Sequence, residues 1–182
     1  MTTSVFNRKK RLSNQIAGSR DRLFQVALAW CSDEMVADDL VQETLAAGIA
    51  NHRQLRDEGC LFAWLYSILH NNWVKYLRKN KSHLELDDEQ PSDRQGPMSD
   101  CQELEIVFRV RHAVAALSDE QRQVIALVDL EGFSYQEVSN ILKIPIGTVM
   151  SRLHRARKHL LAKLEKQSSR PMTGSGTVRL VK

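Results

Sequence analysis

The segment Ser134–Leu160, SYQEVSNILKIPIGTVMSRLHRARKHL, decides the fold class of this chain. Its pattern predicts one helix, a tight turn around Pro145 and Gly147, and a second helix rich in arginine. The major groove of DNA admits one helix, and basic side chains on such a helix can contact the phosphates. We therefore expect a helix-turn-helix that binds nucleic acid.

The sequence before this motif also predicts helices. Hydrophobic residues make up 42% of the 182 residues and aromatic residues only 6%, with four prolines, which favours a helical fold over a β-sandwich. In the N-terminal half, apolar residues recur at helical spacing. They predict helices over about 19–30, 33–52 and 61–80.

The sequence of the C-terminal half also predicts helices. A helix is predicted from near Cys101, and capping boxes that begin at Ser118 and Ser134 predict the starts of two more. Thr148 is predicted to cap the last helix, whose apolar stripe faces inward. The predicted fold class is therefore all-α.

Residues 81–100 separate the two helical halves. This stretch has Pro91, Gly96, Pro97 and many charges but few apolar side chains, so its composition predicts a linker. About 20 residues span about 65 Å when extended and about 25 Å as a flexible coil. We expect two small helical domains joined by a flexible acidic linker, able to occupy DNA sites several turns apart. The predicted organisation is a partly disordered basic lead-in over 1–18, helical domains over 19–80 and 101–166, the linker over 81–100, and a disordered tail over 167–182.

Charge is unevenly distributed along the chain. The net charge is +4, with basic residues crowded near the N-terminus and in the last helix, and acidic residues between them. Basic ends around an acidic middle suggest two DNA-facing modules. The three cysteines are odd in number and far apart, which favours a reducing cytosol, and no apolar run has transmembrane length. We therefore expect a cytoplasmic protein without membrane insertion.

The last helix carries the predicted duplex-binding face. Its first turns, from Thr148 to Arg155, are placed to reach base edges, where arginine can bind guanine through two hydrogen bonds. Arg157 and Lys158, further along, are expected to contact phosphates. The candidate DNA-binding residues are Thr148, Ser151, Arg152, His154, Arg155, Arg157 and Lys158.

Three motifs together resemble a known family. They are DLVQET at 39–44, FAWLYSILHNNWVKYLRK at 62–79, and LSDEQRQVIALVDLEGFSYQEVSNILKIPIGTVMSRLHRARKHL at 117–160. In this order they resemble the extracytoplasmic-function sigma factors of the sigma-70 family, over roughly residues 20–164. The resemblance implies that the N-terminal domain is sigma region 2, for core polymerase binding and for minus-10 recognition and melting. It implies that the C-terminal domain is region 4, for minus-35 recognition.

The resemblance also implies polymerase-binding residues. In the family, the helix with the DLVQE motif docks on the clamp helices of the β′ subunit of RNA polymerase. Here the corresponding residues are Asp39, Leu40, Gln42 and Glu43. Asp39, Gln42 and Glu43 fall at i, i+3 and i+4 on one polar stripe, which suits a partner with arginines. A second docking surface, for the flap of the β subunit, is implied around 115–129.

The third predicted helix resembles the element that melts and reads minus-10 DNA. Asn71, Lys75 and Arg78 recur on one face, and Trp64 precedes them on the same helix. Aromatic rings can stack on exposed bases, an amide can read a base edge, and cations can hold the backbone. The loop over 52–60 is implied to receive a flipped base, without a residue that can be named as its reader.

The aromatic residues of this helix, Trp64, Tyr66, Trp73 and Tyr76, are each expected to belong to the core more than to stack on a base. In the last helix, the resemblance assigns minus-35 recognition to residues among those already predicted, Ser151, Arg152, His154 and Arg155. Met150 stands where the family usually has lysine or arginine. The recognised minus-35 sequence therefore cannot be inherited from relatives.

An enzyme is not expected. The sequence has no phosphate-binding glycine loop, nucleophile elbow, HExxH motif or paired cysteines, so neither catalysis nor a cofactor or metal is predicted. One alternative is a stand-alone helix-turn-helix regulator, which would need a dimerisation surface and two half-sites. Another is a purely structural helical adaptor. The favoured interpretation is an alternative sigma factor that binds core RNA polymerase and promoter DNA to direct promoter-specific initiation, and the resemblance adds an anti-sigma factor as a partner.

Overall fold

The computed structural model describes residues 2–84 and 102–168 of the chain. All regular elements in these ranges are helical, and they fall into an N-terminal and a C-terminal lobe, which confirms the predicted fold class. Most of the predicted linker and tail lie outside the described residues. The α-helices are α1 (Thr2–Ala17), α2 (Arg20–Cys31), α3 (Glu34–Ala50), α4 (Leu61–Leu84), α5 (Gln102–Ala115), α6 (Asp119–Ile125), α7 (Tyr135–Leu142) and α8 (Ile146–Ser168).

In the N-terminal lobe, α2, α3 and α4 pack around a shared apolar core. The predicted inward stripe of α2, which includes Leu23 and Trp30, is fully buried. Asp33 caps α3 by accepting the backbone N–H groups of Met35 and Val36, at 2.8 and 3.1 Å. Helix α4 continues four residues beyond the predicted end at Asn80. The three predicted helices are thus present, with α4 longer than predicted and α3 ending at Ala50, two residues earlier than predicted.

The basic N-terminal segment, predicted to be a partly disordered lead-in, forms α1 and packs on this lobe. Its residues Leu12 and Ile16 are fully buried. Gly48 of α3 permits the close approach, because a Cβ atom there would lie 2.9 Å from Leu65 Cδ2 and 3.4 Å from Ile16 Cγ2. Helix α1 therefore contributes to the core of the N-terminal lobe.

The C-terminal lobe contains α5 to α8 and a π-helical turn, Ala126–Leu130. Ser118 accepts the N–H of Gln121 at the start of α6. Gly132 adopts a left-handed conformation, with φ of 76°, and ends this segment. At the start of α7, Ser134 and Glu137 form both hydrogen bonds of the predicted capping box.

The predicted cap of the last helix is wrong. Helix α8 begins at Ile146, two residues before Thr148, and the carbonyl of Pro145 accepts the N–H of Thr148 at 2.8 Å. A proline can stand at the start of a helix because it has no N–H to satisfy there. Thr148 is therefore a residue of the first turn, and Lys143, with φ of 56°, ends α7.

The two lobes contact each other, a contact on which the predicted flexible linker gave no information. Helix α2 packs against α5, α6 and the π-helical turn, and α4 packs against α7. The Tyr66 ring of α4 meets Phe133 edge to face, with ring centroids 5.4 Å apart. The buried apolar residues of both lobes form one continuous cluster. The outward face of α8 stays exposed in this arrangement.

Candidate nucleic-acid interface

Helix α8 has one buried side and one open side. Val149, Leu153 and Ala156 are buried and fix the helix against α6 and α7. The opposite side carries most of the predicted DNA-binding residues, and no described part of the chain covers it. Ser151, His154, Arg155, Arg157 and Lys158 are exposed, while Thr148 and Arg152 are half-buried at its edge.

Two arginines of this face make contacts within the lobe. Arg157 binds Asp129 of the π-helical turn through two hydrogen bonds, of 3.1 and 2.5 Å. The hydrogen bond to Asp129 raises the pKa of the Arg157 guanidinium. Arg155 Nε donates to the backbone carbonyl of Ser151 at 3.2 Å, and the Arg155 side chain is exposed. Arg157 is therefore positioned as an ion-pair partner, and Arg155 is the freer of the two.

An apolar groove adjoins the basic side chains of α8. Met150 is 52% exposed, and Tyr135 and Leu161 are also exposed. These side chains line the groove together with His154 and Lys158. Sequence reasoning noted Met150 but missed Tyr135, the first residue of α7. The sequence did contain a signal for Tyr135. It is an aromatic residue directly after the capping Ser134, and it lies outside the buried apolar stripe of α7.

The predicted minus-10 face of α4 is only partly free. Asn71, Lys75 and Arg78 are exposed, and Trp64 is half-buried. Asn71 Oδ1 accepts a hydrogen bond of 3.2 Å from Lys143 Nζ, a residue of the C-terminal lobe. The face thus contains two open cations and one exposed amide whose oxygen accepts a hydrogen bond from the other lobe.

The aromatic residues of α4 lie mainly in the core, as expected. Tyr66 and Trp73 are buried. Tyr76 is half-buried and stacks on Trp73, with centroids 5.5 Å apart and an interplanar angle of 13°. Of the α4 aromatics considered, the half-buried Trp64 and Tyr76 retain surface for a base.

The loop between α3 and α4 is held by several contacts. Leu55 is buried beneath it, and Asp57 accepts the N–H of Gly59 at 2.9 Å. Arg8 and Arg11 of α1 bind the Glu58 carboxylate at 3.0 and 2.8 Å, and these contacts, Arg8 first, lower its pKa. Two exposed cations of the loop were not singled out from the sequence. They are Arg53 and Arg56.

Helix α3 presents the predicted polymerase-binding stripe. Asp39, Gln42 and Glu43 are exposed, and the Gln42 amide donates to Asp38 at 2.8 Å. Leu40 is only 3% exposed, so it belongs to the core beneath the stripe and not to the surface. Met35, 78% exposed at the start of the helix, extends this surface and was missed from the sequence.

Other side chains that could carry chemistry are isolated. Among residues 2–84 and 102–168, no group of histidine, cysteine and acidic residues could hold a metal ion. Burial raises the pKa of the Cys31 thiol, and the nearby Asp57 carboxylate raises that of Cys60. Within the same ranges, none of the helices is both long enough and apolar enough to cross a membrane.

Comparisons with known proteins agree in both lobes. The sequence family Sigma-70 region 2 matches residues 16–83, and the sequence family Sigma-70, region 4 matches residues 108–160. The chain is 34% identical over 161 residues to the ECF RNA polymerase sigma factor EcfG of Rhodopseudomonas palustris, covering 88% of this chain and 87% of that protein. It is 27% identical over 157 residues to the ECF RNA polymerase sigma factor SigW of Bacillus subtilis, covering 80% of this chain and 84% of that protein.

Solved structures of related proteins share the fold of this chain. The sigma factor RpoE in complex with the anti-sigma factor NepR from Bartonella quintana superposes with a TM-score of 0.72 at 28% identity, covering 86% of this chain and 98% of that one. CnrH in complex with the cytosolic domain of CnrY superposes with a TM-score of 0.60 at 24% identity, covering 86% and 89%. The second likeness shows the fold alone.

Proposed function

The chain belongs to the ECF RNA polymerase sigma factors, and on that premise we propose how its two lobes share the work of promoter-specific initiation. As a member of this family it is an alternative sigma factor, which directs core RNA polymerase to promoters. Its own residues supply binding and orientation. The chemistry of RNA synthesis belongs to the core enzyme.

The C-terminal lobe reads the minus-35 element as duplex DNA. The exposed side of α8 enters the major groove by its first turns, so Ser151 and Arg155 reach base edges. Arg155 binds a guanine edge, and Lys158 contacts a phosphate. Arg157 supports the helix through its ion pair with Asp129.

The N-terminal lobe reads the minus-10 element as a separated strand. On α4, the Asn71 amide contacts a base edge, Lys75 and Arg78 hold the backbone, and Trp64 offers a ring for stacking. The loop between α3 and α4 receives a flipped base, with Arg53 and Arg56 as its exposed cations. Binding of a melted strand by this face would stabilise the open promoter.

Helix α3 attaches the chain to polymerase. Asp39 and Glu43 form charge-assisted hydrogen bonds with cationic side chains of the β′ clamp helices, and Met35 adds apolar contact. The residues around 115–129 form the second docking surface, for the β flap. Attachment of both lobes to one enzyme fixes their spacing and raises the effective concentration of the second DNA contact.

The partners present in the related structures suggest how this factor is controlled. RpoE was solved in complex with the anti-sigma factor NepR, and CnrH in complex with the cytosolic domain of CnrY. We extend the first of these pairings to the present chain, which would be held inactive by an anti-sigma factor in the bacterial cytoplasm and released to polymerase at the nucleoid.

The observation that carries this division of work is the pairing of an open basic side of α8 with a polar face on α4 in one chain. The test is transcription from a promoter library by core polymerase with and without the purified chain. We expect transcripts that start at a shared upstream sequence only when the chain is present. A chain that binds palindromic duplex tightly without polymerase, and yields no new transcripts, would be a stand-alone regulator.

A further inference from the structure

We propose that Arg8 and Arg11 of α1 are positioning residues for minus-10 recognition, because they hold the loop between α3 and α4 in one conformation through Glu58. The ion pairs themselves do not depend on what the loop does. Their consequence for DNA rests on the function proposed above, in which this loop receives a flipped base.

Helix α1 is a firm support for these two arginines. Leu12 and Ile16, on the inward side of the helix, are fully buried in the core of the N-terminal lobe. The helix also packs against α3 and against the 3₁₀ turn His52–Gln54 of the loop. Because apolar burial fixes α1 independently of its charges, the backbone that carries the guanidinium groups does not depend on the ion pairs.

Two guanidinium groups share the Glu58 carboxylate. Arg8 Nε lies 3.0 Å from Oε1, and Arg11 Nη2 lies 2.8 Å from Oε2. Each carboxylate oxygen therefore has its own charged donor, which fixes the orientation of the group as well as its position. The pairs join residues 50 and 47 positions apart, so they tie the loop to a distant helix and not to its own neighbours.

Arg8 also contacts the other end of this part of the loop. Its Nη2 donates to the backbone carbonyl of Leu55 in a longer hydrogen bond of 3.5 Å, and the Leu55 side chain is buried. The backbone at Leu55 and Asp57 is extended, between the two 3₁₀ turns. Asp57 shapes the second turn by accepting the N–H of Gly59. Local hydrogen bonds thus shape the turns, while α1 fixes where segment 55–58 lies.

The segment held in this way includes an exposed cation of the loop. Arg56 lies between the buried Leu55 and the ion-paired Glu58, and its own side chain is exposed. A base that enters the loop therefore meets a backbone that is already ordered on both sides of Arg56. Ordering a loop when its ligand binds costs conformational entropy, and prior ordering removes that cost. We therefore expect the ion pairs to strengthen the base preference of the loop although neither arginine of α1 touches the base.

The ion pairs are suited to holding one loop and not to stabilising the whole fold. Arg8 and Arg11 are exposed and the Glu58 side chain is 27% exposed, so water screens the attraction. Exposed pairs change stability little, and salt weakens them. Loss of the Glu58 charge should therefore loosen the loop while the buried core of the lobe stays folded.

A direct contact of Arg8 and Arg11 with DNA phosphates is the rival role. Glu58→Gln separates the two roles, because it releases both arginines and removes one negative charge from the loop. Direct contact and general electrostatics both predict stronger DNA binding in this variant, whereas positioning predicts a weaker minus-10 preference. Asp21→Asn, at an exposed carboxylate of α2, has the same charge change and is the matched control.

A second variant tests the arginine side of the contact. Arg8→Gln removes one ion pair and the hydrogen bond to Leu55. Lys10→Gln, at an exposed position of the same helix, has the same charge change and is its control. Circular dichroism reports whether each variant is folded. If Glu58→Gln is unfolded, Arg8→Gln replaces it, and hydrogen exchange then separates the two roles, since loss of a DNA contact would not loosen the free loop.

Hydrogen exchange of the free chain, followed by mass spectrometry, measures the loop directly. We expect the peptide that covers residues 54–60 to exchange at least about threefold faster in Glu58→Gln and in Arg8→Gln than in wild type. The two control variants should exchange like wild type. Exchange that is unchanged in both Glu58→Gln and Arg8→Gln would overturn the proposal.

Transcription from a randomised promoter library by core polymerase measures the consequence for DNA. We expect Glu58→Gln to lower the base preference near minus 10 by about 3- to 10-fold, with the preference near minus 35 and the affinity for core polymerase as in wild type. Asp21→Asn should keep all three. A minus-10 preference that is unchanged or stronger in Glu58→Gln would overturn the positioning role, whereas absence of promoter-specific transcripts with the wild-type chain would instead refute the proposed function.

Discussion

Helices α4 and α8 each carry cations on one face, yet the structure treats them differently. Helix α8 is buried along a single stripe, and its opposite side is open. Helix α4 is packed on two sides, because Leu65 and Leu69 lie in the core of its own lobe while Tyr66 meets Phe133 of the other. In the function proposed above, the open face of α8 reads duplex DNA and the face of α4 reads a separated strand; the α4 face already carries one hydrogen bond from the other lobe, between Lys143 and Asn71.

This contrast explains a feature of the sequence. The apolar residues of α4 wrap around more than one face, which is typical of a deeply packed helix or of one that presents aromatic rings to a ligand. Packing against Phe133 of the second lobe accounts for the apolar residue Tyr66, which lies away from the core stripe of Leu65 and Leu69. The half-buried Trp64 is the remaining candidate for contact with a base.

The largest expected effect concerns the polymerase-binding stripe, on which both DNA contacts depend. Asp39→Lys combined with Glu43→Lys should reduce binding to core polymerase by more than about 100-fold, because two charge-assisted contacts become repulsive. Titration of labelled protein with core polymerase measures this effect. The isosteric double variant Asp39→Asn and Glu43→Gln should lose less affinity for core polymerase. Equal affinity in wild type and in both double variants would show that α3 is not the docking helix.

The next effect distinguishes two arginines of α8. Arg155→Ala should weaken discrimination at one minus-35 position by about 1–3 kcal/mol, roughly 5- to 150-fold, because it removes the proposed base contact. Arg157→Ala should change that discrimination by less than about threefold, since Arg157 is already bound to Asp129. Competition between promoter variants in reconstituted transcription measures the discrimination of both variants. A larger loss in Arg157→Ala than in Arg155→Ala would show that Arg157, and not Arg155, contacts the base.

A smaller effect tests whether the lobes unfold together. Ser134→Ala removes the capping box of α7, and Asp33→Ala removes the cap of α3, each at about 0.5–2 kcal/mol of folding free energy. If the lobes share one core, either change should shift the same single urea transition. Two transitions that respond separately would show that the contact between the lobes is weak.

The smallest effect is on pH dependence in the N-terminal lobe. Burial, and then the charge of Lys143, lower the pKa of His70 in the folded chain. Protonation therefore favours the unfolded state, so this contribution to stability is complete above about pH 6.5 and is lost as the pH falls below it. Urea midpoints at pH 7.5 and 5.5 should differ less in His70→Gln than in wild type, and an unchanged difference would exclude His70 as the source.

Local features of the fold were predictable from the sequence. The capping box at Ser134 and the left-handed Gly132 depend on residues within one turn, and the single stripe of α8 fixes which side faces outward. Thr148 was mistaken for a cap because threonine is a common capping residue. The sequence pattern did not indicate that the helix begins directly after Pro145, three positions earlier.

Contacts between distant residues were not predictable. The ion pair of Arg157 with Asp129 joins residues 28 positions apart, so no local pattern indicates it. The same holds for Lys143 and Asn71, which are 72 positions apart and lie in different lobes. The composition of the linker indicates that the lobes can separate, but it contains no information on whether they also bind each other.

The central claim is that each lobe reads its own promoter element. The most direct measurement is to sequence the 5′ ends of transcripts made from a randomised promoter library by core polymerase with the wild-type chain, Asn71→Ala or Arg155→Ala. We predict that Arg155→Ala alters base preferences only near minus 35, and Asn71→Ala only near minus 10. Preferences that change at both elements in each variant, or at neither, would contradict this division.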